Sequence, residues 1–331
     1  MMKHMRDRVV IFSISDDVHA DRVEKLIGDV GKVVRLNLDE PQDWRLEYSR
    51  GDVRIIHTGG VVTTEEVSSV FLRRVPNIDS FRKSVPDSVG KYRDYIADQF
   101  FSLFNECLSI LDKETLFVNP LSSNCNLGKA VQHRVAEKVG LATPLTYVGS
   151  DAEEAKIFCH ELMNNGEEIC TKPVQNVRIS VDGLTKSRFT EKLPPDFEAQ
   201  LSSLEFCPLI FQSYTEKSFE VRGTIIGNVI HACRIDSQFA AGQTAIDWRR
   251  YNIPKTPHSP IILPEHICDK LRMLHRELNV HCASFDLICQ PNDEFVFLET
   301  NPYGQWLWIE DLTGLPISDE ISRFLYRGLP P

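Results

Sequence analysis

Two acidic residues and one amide lie within two short apolar runs near the carboxyl end of the chain. Asp286 interrupts the run SFDLICQ, and Glu299 and Asn301 end the run EFVFLETN. Successive side chains of a β-strand alternate between its two faces, so Glu299 and Asn301 point the same way. The intervening Pro-Asn-Asp sequence favours a tight turn, and the two runs are therefore predicted to form one hairpin.

The register of this hairpin brings two carboxylates together. A two-residue loop of Asn292 and Asp293 places Asp286 directly opposite Glu299. Two carboxylates with Cβ atoms about 5 Å apart repel each other unless a cation or a proton lies between them. Oxygen ligands suit Mg²⁺ better than zinc, so the hairpin predicts a magnesium site of Asp286, Glu299 and Asn301. The alternative is a solvent-facing sheet edge on which both carboxylates are hydrated.

Other charged and polar residues also lie within predicted strands. Lys172 lies inside ICTKPV, Gln212 follows the apolar run LIF, and Glu220 and Arg222 alternate with apolar residues on one strand face. Taken alone, such a face is typical of exposed strands with surface salt bridges. Together with Lys129 and the acidic hairpin, these residues indicate a site for a polyphosphate and its magnesium ions.

The elements that must position these residues follow an α/β pattern. A buried strand at 9–17 precedes apolar residues at helical spacing, and polar loops separate the next strands. A helix from Asn126 to Lys138, ended by Gly140, is predicted to carry Lys129. The other predicted strands are 33–38, 53–60, 116–121, 167–174, 208–214, 219–227 and 229–236, and a long helix covers 88–113. Residues 237–264 have little periodicity and are predicted to form a long functional loop or lid.

Composition limits the class of protein. With 331 residues, 42% of them hydrophobic, the chain can bury a sizeable core divided over two or three lobes. The net charge of −10 disfavours nucleic acid as a partner. No apolar run is long enough for a bilayer, and nine scattered cysteines without a CxxC motif indicate thiols in a reducing compartment. We therefore expect no membrane partner and a cytoplasmic location.

Longer sequence blocks resemble a known family. The block FDLICQPNDEFVFLETNPYGQWLWIEDLTGLPIS is similar to the carboxyl-terminal signature of ATP-grasp ligases, in particular the maturases that close macrocycles in microviridin-type peptides, the graspetides. Five further blocks match in order over most of the chain: VFLRRVP, FVNPLSSNCNLGKAVQHRVAEKVGLATP, TKP, EVRGTIIGNVIHACRIDSQ and DWRRYN.

The resemblance implies a fold and a set of domains. It implies an α/β ATP-grasp fold with an N-terminal pre-ATP-grasp domain over 1–120, a central lid domain over 121–207 and a C-terminal ATP-grasp lobe over 208–331. The chain departs from many ATP-grasp ligases after Lys172, because only Gly183 is present where a glycine-rich flap usually covers the phosphates.

The resemblance also implies ATP and Mg²⁺ as cofactors and assigns residues to them. Lys129 and Lys172 match the phosphate-facing lysines, and Asp286, Glu299 and Asn301 match the magnesium ligands. The nucleotide-binding residues are expected to be Lys129, Lys172, Gln212, Tyr214, Lys217 and Glu220, with Glu220 on the ribose.

The implied reaction is an ATP-dependent ligation. The γ-phosphoryl group activates an Asp or Glu side chain of a precursor peptide, made of leader and core, and a Ser, Thr or Lys side chain of the same peptide then closes an ester or amide ring. Lys172 and Arg222 are suited to the developing negative charge. Asp236 and Asp247 are the preferred candidates for the general base, ahead of His231 in an apolar strand.

Alternatives remain open. The first is a carboxylate-amine ligase that acts on a free amino acid, a small peptide or a protein C-terminus, as in glutamate ligases. The second is a non-catalytic carrier that keeps the fold, although the complete set of metal ligands argues against it. A homodimer is the expectation for the family.

Overall fold

The structure is a computed structural model that describes residues 6–28, 32–74, 78–126, 128–175, 178–181, 184–187, 189–194, 196–238 and 256–327. The strands are β1 (Arg8–Ser13), β2 (Lys32–Asn37), β3 (Trp44–Ser49), β4 (Asp52–His57), β5 (Gly60–Thr63), β6 (Val67–Leu72), β7 (Leu116–Val118), β8 (Thr146–Gly149), β9 (Ile169–Pro173), β10 (Arg178–Val181), β11 (Leu184–Ser187), β12 (Glu191–Lys192), β13 (Leu209–Ser213), β14 (Phe219–Ile226), β15 (Val229–Ile235), β16 (His258–Ile261), β17 (Cys282–Cys289) and β18 (Phe295–Asn301). The helices are α1 (Val18–Gly28), α2 (Ile78–Ser84), α3 (Arg93–Glu114), α4 (Lys129–Lys138), α5 (Ala152–Asn164), α6 (Glu265–Glu277), α7 (Leu307–Thr313) and α8 (Ile317–Arg327).

The first part of the chain builds a parallel sheet with the strand order β2-β1-β6-β7. Its inner strands, β1 and β6, are buried on both faces, as the strands of parallel sheets are when helices cover them. On one face, the apolar residues of β1 contact α3 and a small antiparallel sheet of β3, β4 and β5. On the other face they pack with α1, α7 and α8, so the last helices of the chain return to the first sheet.

The central sheet has the strand order β12-β9-β13-β8. One face packs on α5 through Ile169 and Phe211. Because side chains alternate along a strand, Lys172 and Gln212 lie on the opposite face. The antiparallel pair of strands β10 and β11 comes directly after β9 in the chain.

The last sheet is antiparallel throughout, with the order β16-β15-β14-β17-β18. One face carries Val221, Ile225, Phe285 and Leu287 and packs on α4 and α6. The other face carries Glu220 and Arg222 of β14. Apolar residues on the same face, including Cys233 of β15, pack against the first sheet. The charged positions therefore lie between two buried regions.

The hairpin loop is one residue longer than predicted, and β18 contains a bulge that was not predicted. The two differences cancel in the register. The loop has three residues, because Gln290 N donates to Glu294 O and Asp293 has a φ of +63°. A bulge at Leu298 then adds one residue to β18, since Leu287 pairs with Phe297 while Asp286 pairs with Glu299. The predicted partnership of Asp286 and Glu299 is confirmed.

Other boundaries also differ from the predictions. Helix α4 begins at Lys129 after Gly128, and not after Asn126, which belongs to a 3-10 turn. The predicted lid contains strand β16 at 258–261, and residues 239–255 lie outside the described residues. No helix in the described part of the chain has the length and apolar character needed to cross a membrane.

Candidate functional site

Four charged side chains form one row across three strands and a helix. Arg222, Asp286 and Glu299 are cross-strand neighbours on β14, β17 and β18. Arg222 Nη1 donates to both carboxylate oxygens of Asp286 at 3.0 Å, and Lys129 Nζ lies 3.0 Å from Glu299 Oε2. The row therefore has a positive charge at each end and two negative charges between them, and each carboxylate is compensated by a different cation.

The central sheet supplies the opposite wall of a cleft. Lys172 lies in β9 and is 8% exposed, and Gln212 lies beside it on β13, where its Nε2 donates to Thr146 Oγ1 at 2.8 Å. The cleft is lined by Cys170, Lys172, Thr190, Gln212, Ser213, Tyr214, Thr215, Lys217, Glu220, Val221, Asp286, Leu287, Ile288, Leu298 and Glu299. It therefore brings together seven predicted site residues from two sheets: Lys172, Gln212, Tyr214, Lys217, Glu220, Asp286 and Glu299.

The segment between β13 and β14 forms one end of the cleft. Lys217 Nζ and Glu220 Oε1 make a buried ion pair at 3.0 Å. Lys192 Nζ lies 4.2 Å from the centre of the Tyr214 ring, and burial together with Glu168 and Glu220 raises the pKa of Tyr214. This end offers an aromatic ring and a fixed polar pair to a ligand.

The hairpin end has the donor set of a hard cation. Asp286 and Glu299 face each other, while Asn301, at the exposed end of β18, accepts a hydrogen bond from Tyr303 N at 2.9 Å through Oδ1. Among the described residues, no group of three or more His, Cys, Asp and Glu side chains is arranged to hold a metal. Mg²⁺ needs no such group, because it binds one or two carboxylates and completes its shell with water and phosphate oxygens. The residues present fit this ion.

Helix α4 places its first residue over the hairpin. Gln132 hydrogen-bonds both the N–H and the C=O of Thr300, and His133 Nε2 lies 2.8 Å from Leu298 O. Burial and the nearby positive charges of Lys172 and Lys129 lower the pKa of His133, with the hydrogen bond to Leu298 acting in the other direction. Sequence reasoning missed Gln132 and His133, although both lie one helical turn after Lys129.

A second missed group joins the first sheet to the loop after β18. Arg73 is 1% exposed, donates from Nη1 to Tyr303 O at 3.0 Å and lies 5.2 Å from the centre of the Trp306 ring. Asp17 pairs with Arg73 and with Arg74. Burial lowers the pKa of Arg73 to about 10 despite the opposite effect of Asp17. The sequence signal for this group was the pair of arginines directly after the apolar strand β6.

Of the candidate bases that the structure describes, Asp236 lies on the face of the sheet opposite to this row. Asp236 accepts hydrogen bonds from Arg234, whose guanidinium stacks on Phe219 at 4.0 Å, on the face of β14 and β15 opposite to Arg222. His231 is half-buried, and burial lowers its pKa. Asp247 and Gly183 lie outside the described residues. Their predicted roles stay predictions.

Comparisons with known proteins give matches to solved structures. Neither a protein-family model nor a curated protein sequence matches the chain. The RiPP-associated ATP-grasp ligase of Chryseobacterium gregarium, solved with ADP and a leader and core peptide, is 27% identical with a TM-score of 0.86, over 98% of each chain. The macrocyclase MdnC of Microcystis aeruginosa MRC, solved with the precursor peptide MdnA, is 26% identical with a TM-score of 0.82, over 96% of this chain and 99% of that one.

A more distant structure shows the fold alone. The ATP-grasp ligase PsnB, solved with a minimal precursor, Mg and ADP, is 17% identical with a TM-score of 0.74, over 97% of each chain. The predicted α/β ATP-grasp fold is confirmed by these matches. The chain has the fold of the ATP-grasp ligases, and over nearly its whole length it is similar to a RiPP-associated ATP-grasp ligase and to a macrocyclase of a precursor peptide.

Proposed function

We propose that the chain is an ATP-dependent macrocyclase for a ribosomal precursor peptide. It activates Asp or Glu side chains of the peptide and joins them to Ser or Thr as esters or to Lys as amides. The observation that carries this proposal is the row of Arg222, Asp286, Glu299 and Lys129, whose two carboxylates line the same cleft as Lys172. The two structures that share about a quarter of its residues were solved with precursor, or leader and core, peptides, and one of them also contains ADP.

The residues of the cleft suit the two half-reactions. A peptide carboxylate attacks the γ-phosphorus of ATP and releases ADP; a hydroxyl or amine of the peptide then attacks the acyl carbon, loses its proton and displaces phosphate. Both steps accumulate negative charge on oxygen, which Lys129, Lys172 and Arg222 can neutralise from fixed positions. Arg222 is held by Asp286, so its planar guanidinium is oriented before substrate binds.

Nucleotide and metal are assigned to the two ends of the cleft. Gln212, Tyr214, Lys217 and Glu220 would hold the nucleoside, with the Lys217–Glu220 pair fixing the end that meets the ribose. Asp286, Glu299 and Asn301 would hold Mg²⁺, which supplies charge neutralisation between the phosphate oxygens when bound. Lys129 and Arg222, which pair with Glu299 and Asp286, would turn to the phosphates when these carboxylates hold the ion.

Location and assembly belong to the same proposal. Eight cysteines whose side chains the structure describes are thiols outside any disulfide, and seven of them are buried, which supports a cytoplasmic location. Burial raises the pKa of several of these thiols, including Cys282 to about 12, so they are poor nucleophiles.

A homodimer is proposed from the family resemblance, and light scattering after gel filtration measures it. The division into domains over 1–120, 121–207 and 208–331 also stays a prediction.

The decisive experiment uses a candidate precursor. The purified protein is incubated with ATP, Mg²⁺ and a short peptide rich in Thr and Asp or Glu, encoded beside it, and mass spectrometry follows the loss of one water per ring. ADP release coupled to water loss within one peptide supports the macrocyclase. Condensation with an added free amino acid instead supports the carboxylate-amine ligase, and nucleotide binding without turnover supports a carrier.

A further inference from the structure

The side-chain amide of Gln132 takes the place of a neighbouring strand beside β18. Its Nε2 donates to Thr300 O at 2.9 Å, and its Oε1 accepts from Thr300 N at 2.9 Å. Strand β18 is the edge of its sheet, so these backbone groups have no strand partner on that side. Gln132 is 1% exposed, and an apolar residue there would leave the buried N–H and C=O of Thr300 without their partner.

The residue that Gln132 grips lies between two metal-ligand candidates. Thr300 separates Glu299 from Asn301, so fixing both of its backbone groups fixes the direction in which those two side chains leave the strand. The Thr300 hydroxyl is held independently, because it lies 2.8 Å from His275 Nε2 and 3.2 Å from Ser284 O. Helix α4 therefore holds the backbone at the end of β18, and α6 holds the Thr300 side chain.

The same glutamine also sets the position of Lys129. Residues three apart lie on one face of a helix, and Lys129 is three residues before Gln132. His133 adds a contact to Leu298 O at the bulge, at 2.8 Å. Helix α4 thus engages Leu298, Glu299 and Thr300 in succession, with Lys129 Nζ at 3.0 Å from Glu299 Oε2.

We propose that Gln132 is a positioning residue that keeps the phosphate-facing Lys129 in register with the magnesium ligands Glu299 and Asn301. This inference rests on the proposed function, since it assigns those residues to metal and phosphate. Gln132 acts through Thr300 and through its own helix, and it touches neither the nucleotide nor the metal.

Magnesium-dependent ADP binding, measured by calorimetry, tests the inference without turnover. In Gln132→Leu we expect the Mg²⁺ concentration that gives half-maximal ADP binding to rise about tenfold or more. Removing the outer-shell partners of a metal site typically lowers metal affinity by this factor. ADP binding without Mg²⁺ should change little, because the end of the cleft with Lys217 and Glu220 is untouched. Arg134→Ala, on the exposed side of α4, is the matched control and should bind as the wild type does.

Gln132→Glu provides a second variant that keeps the size of the side chain. As a carboxylate it can accept from Thr300 N but cannot donate to Thr300 O, whereas its protonated form restores the donor. We therefore expect its Mg²⁺-dependent affinity, relative to the wild type at the same pH, to recover as the pH is lowered. Circular dichroism verifies that each variant is folded, and Gln132→Glu decides the question if Gln132→Leu is not.

A double-mutant cycle separates positioning from general destabilisation. If Gln132 acts through the Lys129–Glu299 contact, the double variant Gln132→Leu/Lys129→Met should weaken Mg²⁺-dependent ADP binding, relative to the wild type, by much less than the product of the two single effects. Independent, multiplying effects would overturn the inference, as would wild-type Mg²⁺ dependence in folded Gln132→Leu. A wild-type protein that shows no Mg²⁺-dependent ADP binding would instead overturn the proposed function together with the inference.

Discussion

Asp286 and Glu299 lie directly opposite each other on β17 and β18, and each carboxylate is paired with a different cation of the chain. Arg222 binds Asp286 from the neighbouring strand, and Lys129 reaches Glu299 from a helix about 170 residues away in sequence. The pair is therefore stable before any metal binds. If these carboxylates hold a divalent ion, Lys129 and Arg222 would be able to turn toward a triphosphate.

The first prediction concerns these two carboxylates. Asp286→Asn and Glu299→Gln should each abolish turnover, because each removes a negative charge that holds Mg²⁺. The fold should be retained, because removing one anion relaxes the repulsion between the two carboxylates, and the Asn or Gln amide oxygen can still accept a hydrogen bond from the neighbouring cation. Turnover is measured as ADP release and peptide water loss, and folding as the midpoint of thermal unfolding. Wild-type activity in both variants would refute the metal assignment.

The second prediction separates binding from chemistry at Arg222. Arg222→Lys should retain ATP binding but slow the chemical step by about 10²-fold, because lysine cannot present a planar guanidinium to the developing charge. Single-turnover kinetics at saturating ATP measures the effect. Arg234→Lys, on the opposite face of the neighbouring strand, is the control and should keep normal rates. Equal single-turnover rates for Arg222→Lys and the wild type would remove Arg222 from the mechanism.

The third prediction concerns the buried ion pair of Lys217 and Glu220. Lys217→Met removes one partner and leaves a carboxylate with less compensation in a buried position, which should lower the free energy of unfolding by about 3 kcal/mol. The double variant with Glu220→Gln should recover part of that loss, because the buried charge is gone. Denaturant unfolding without nucleotide measures both. Additive losses in the double variant would show that the two residues are not coupled.

The fourth prediction tests the loop after Asn301. A Cβ on Gly304 would lie 2.4 Å from Ser284 Oγ and 2.9 Å from Arg222 Nη2. Gly304→Ala should therefore displace the loop or Arg222, at a cost of about 1–3 kcal/mol in unfolding free energy, and should reduce turnover. Gly28→Ala is the control, because its added Cβ would meet no described atom within 4 Å. Wild-type stability and turnover in Gly304→Ala would show that the close packing is not required.

The fifth prediction concerns pH. His275 is fully buried between Leu271 O and Thr300 Oγ1, and burial lowers its pKa to about 4, so the folded protein holds the imidazole neutral. The unfolded chain binds the proton at an ordinary pKa of about 6.5, so stability is lost as the pH falls from about 6.5 toward 4. The contribution of His275 between pH 7 and pH 5 should be about 2 kcal/mol.

His275→Gln is the matched variant for this prediction, since it keeps hydrogen-bonding capacity but does not titrate. Its unfolding free energy should fall less steeply than that of the wild type over the same pH range, measured by denaturant unfolding at several pH values. An identical pH dependence in both proteins would remove His275 from the acid response. The remaining slope is expected to include His19, whose pKa burial also lowers to about 4.

The sequence predicted the local features of the site because they depend on neighbouring residues. Alternation along β14 and β18 placed Glu220 with Arg222 and Glu299 with Asn301, and this alternation follows from backbone geometry alone. The register of the hairpin was reached with a loop one residue too short and without the bulge at Leu298. The bulge lies where His133 of α4 contacts Leu298 O, and no local pattern contains this long-range contact.

Only the tertiary structure decided which charges meet. The Lys129–Glu299 and Gln132–Thr300 contacts join positions that are about 170 residues apart in sequence, and they exist because α4 packs on the last sheet through its apolar side. The register of β14 and β15 put Asp236 with Arg234 on the face away from Arg222. Residue type and spacing fix what a side chain can bind and which face it takes, whereas the partner it meets is set by how helices and sheets bury their apolar surfaces.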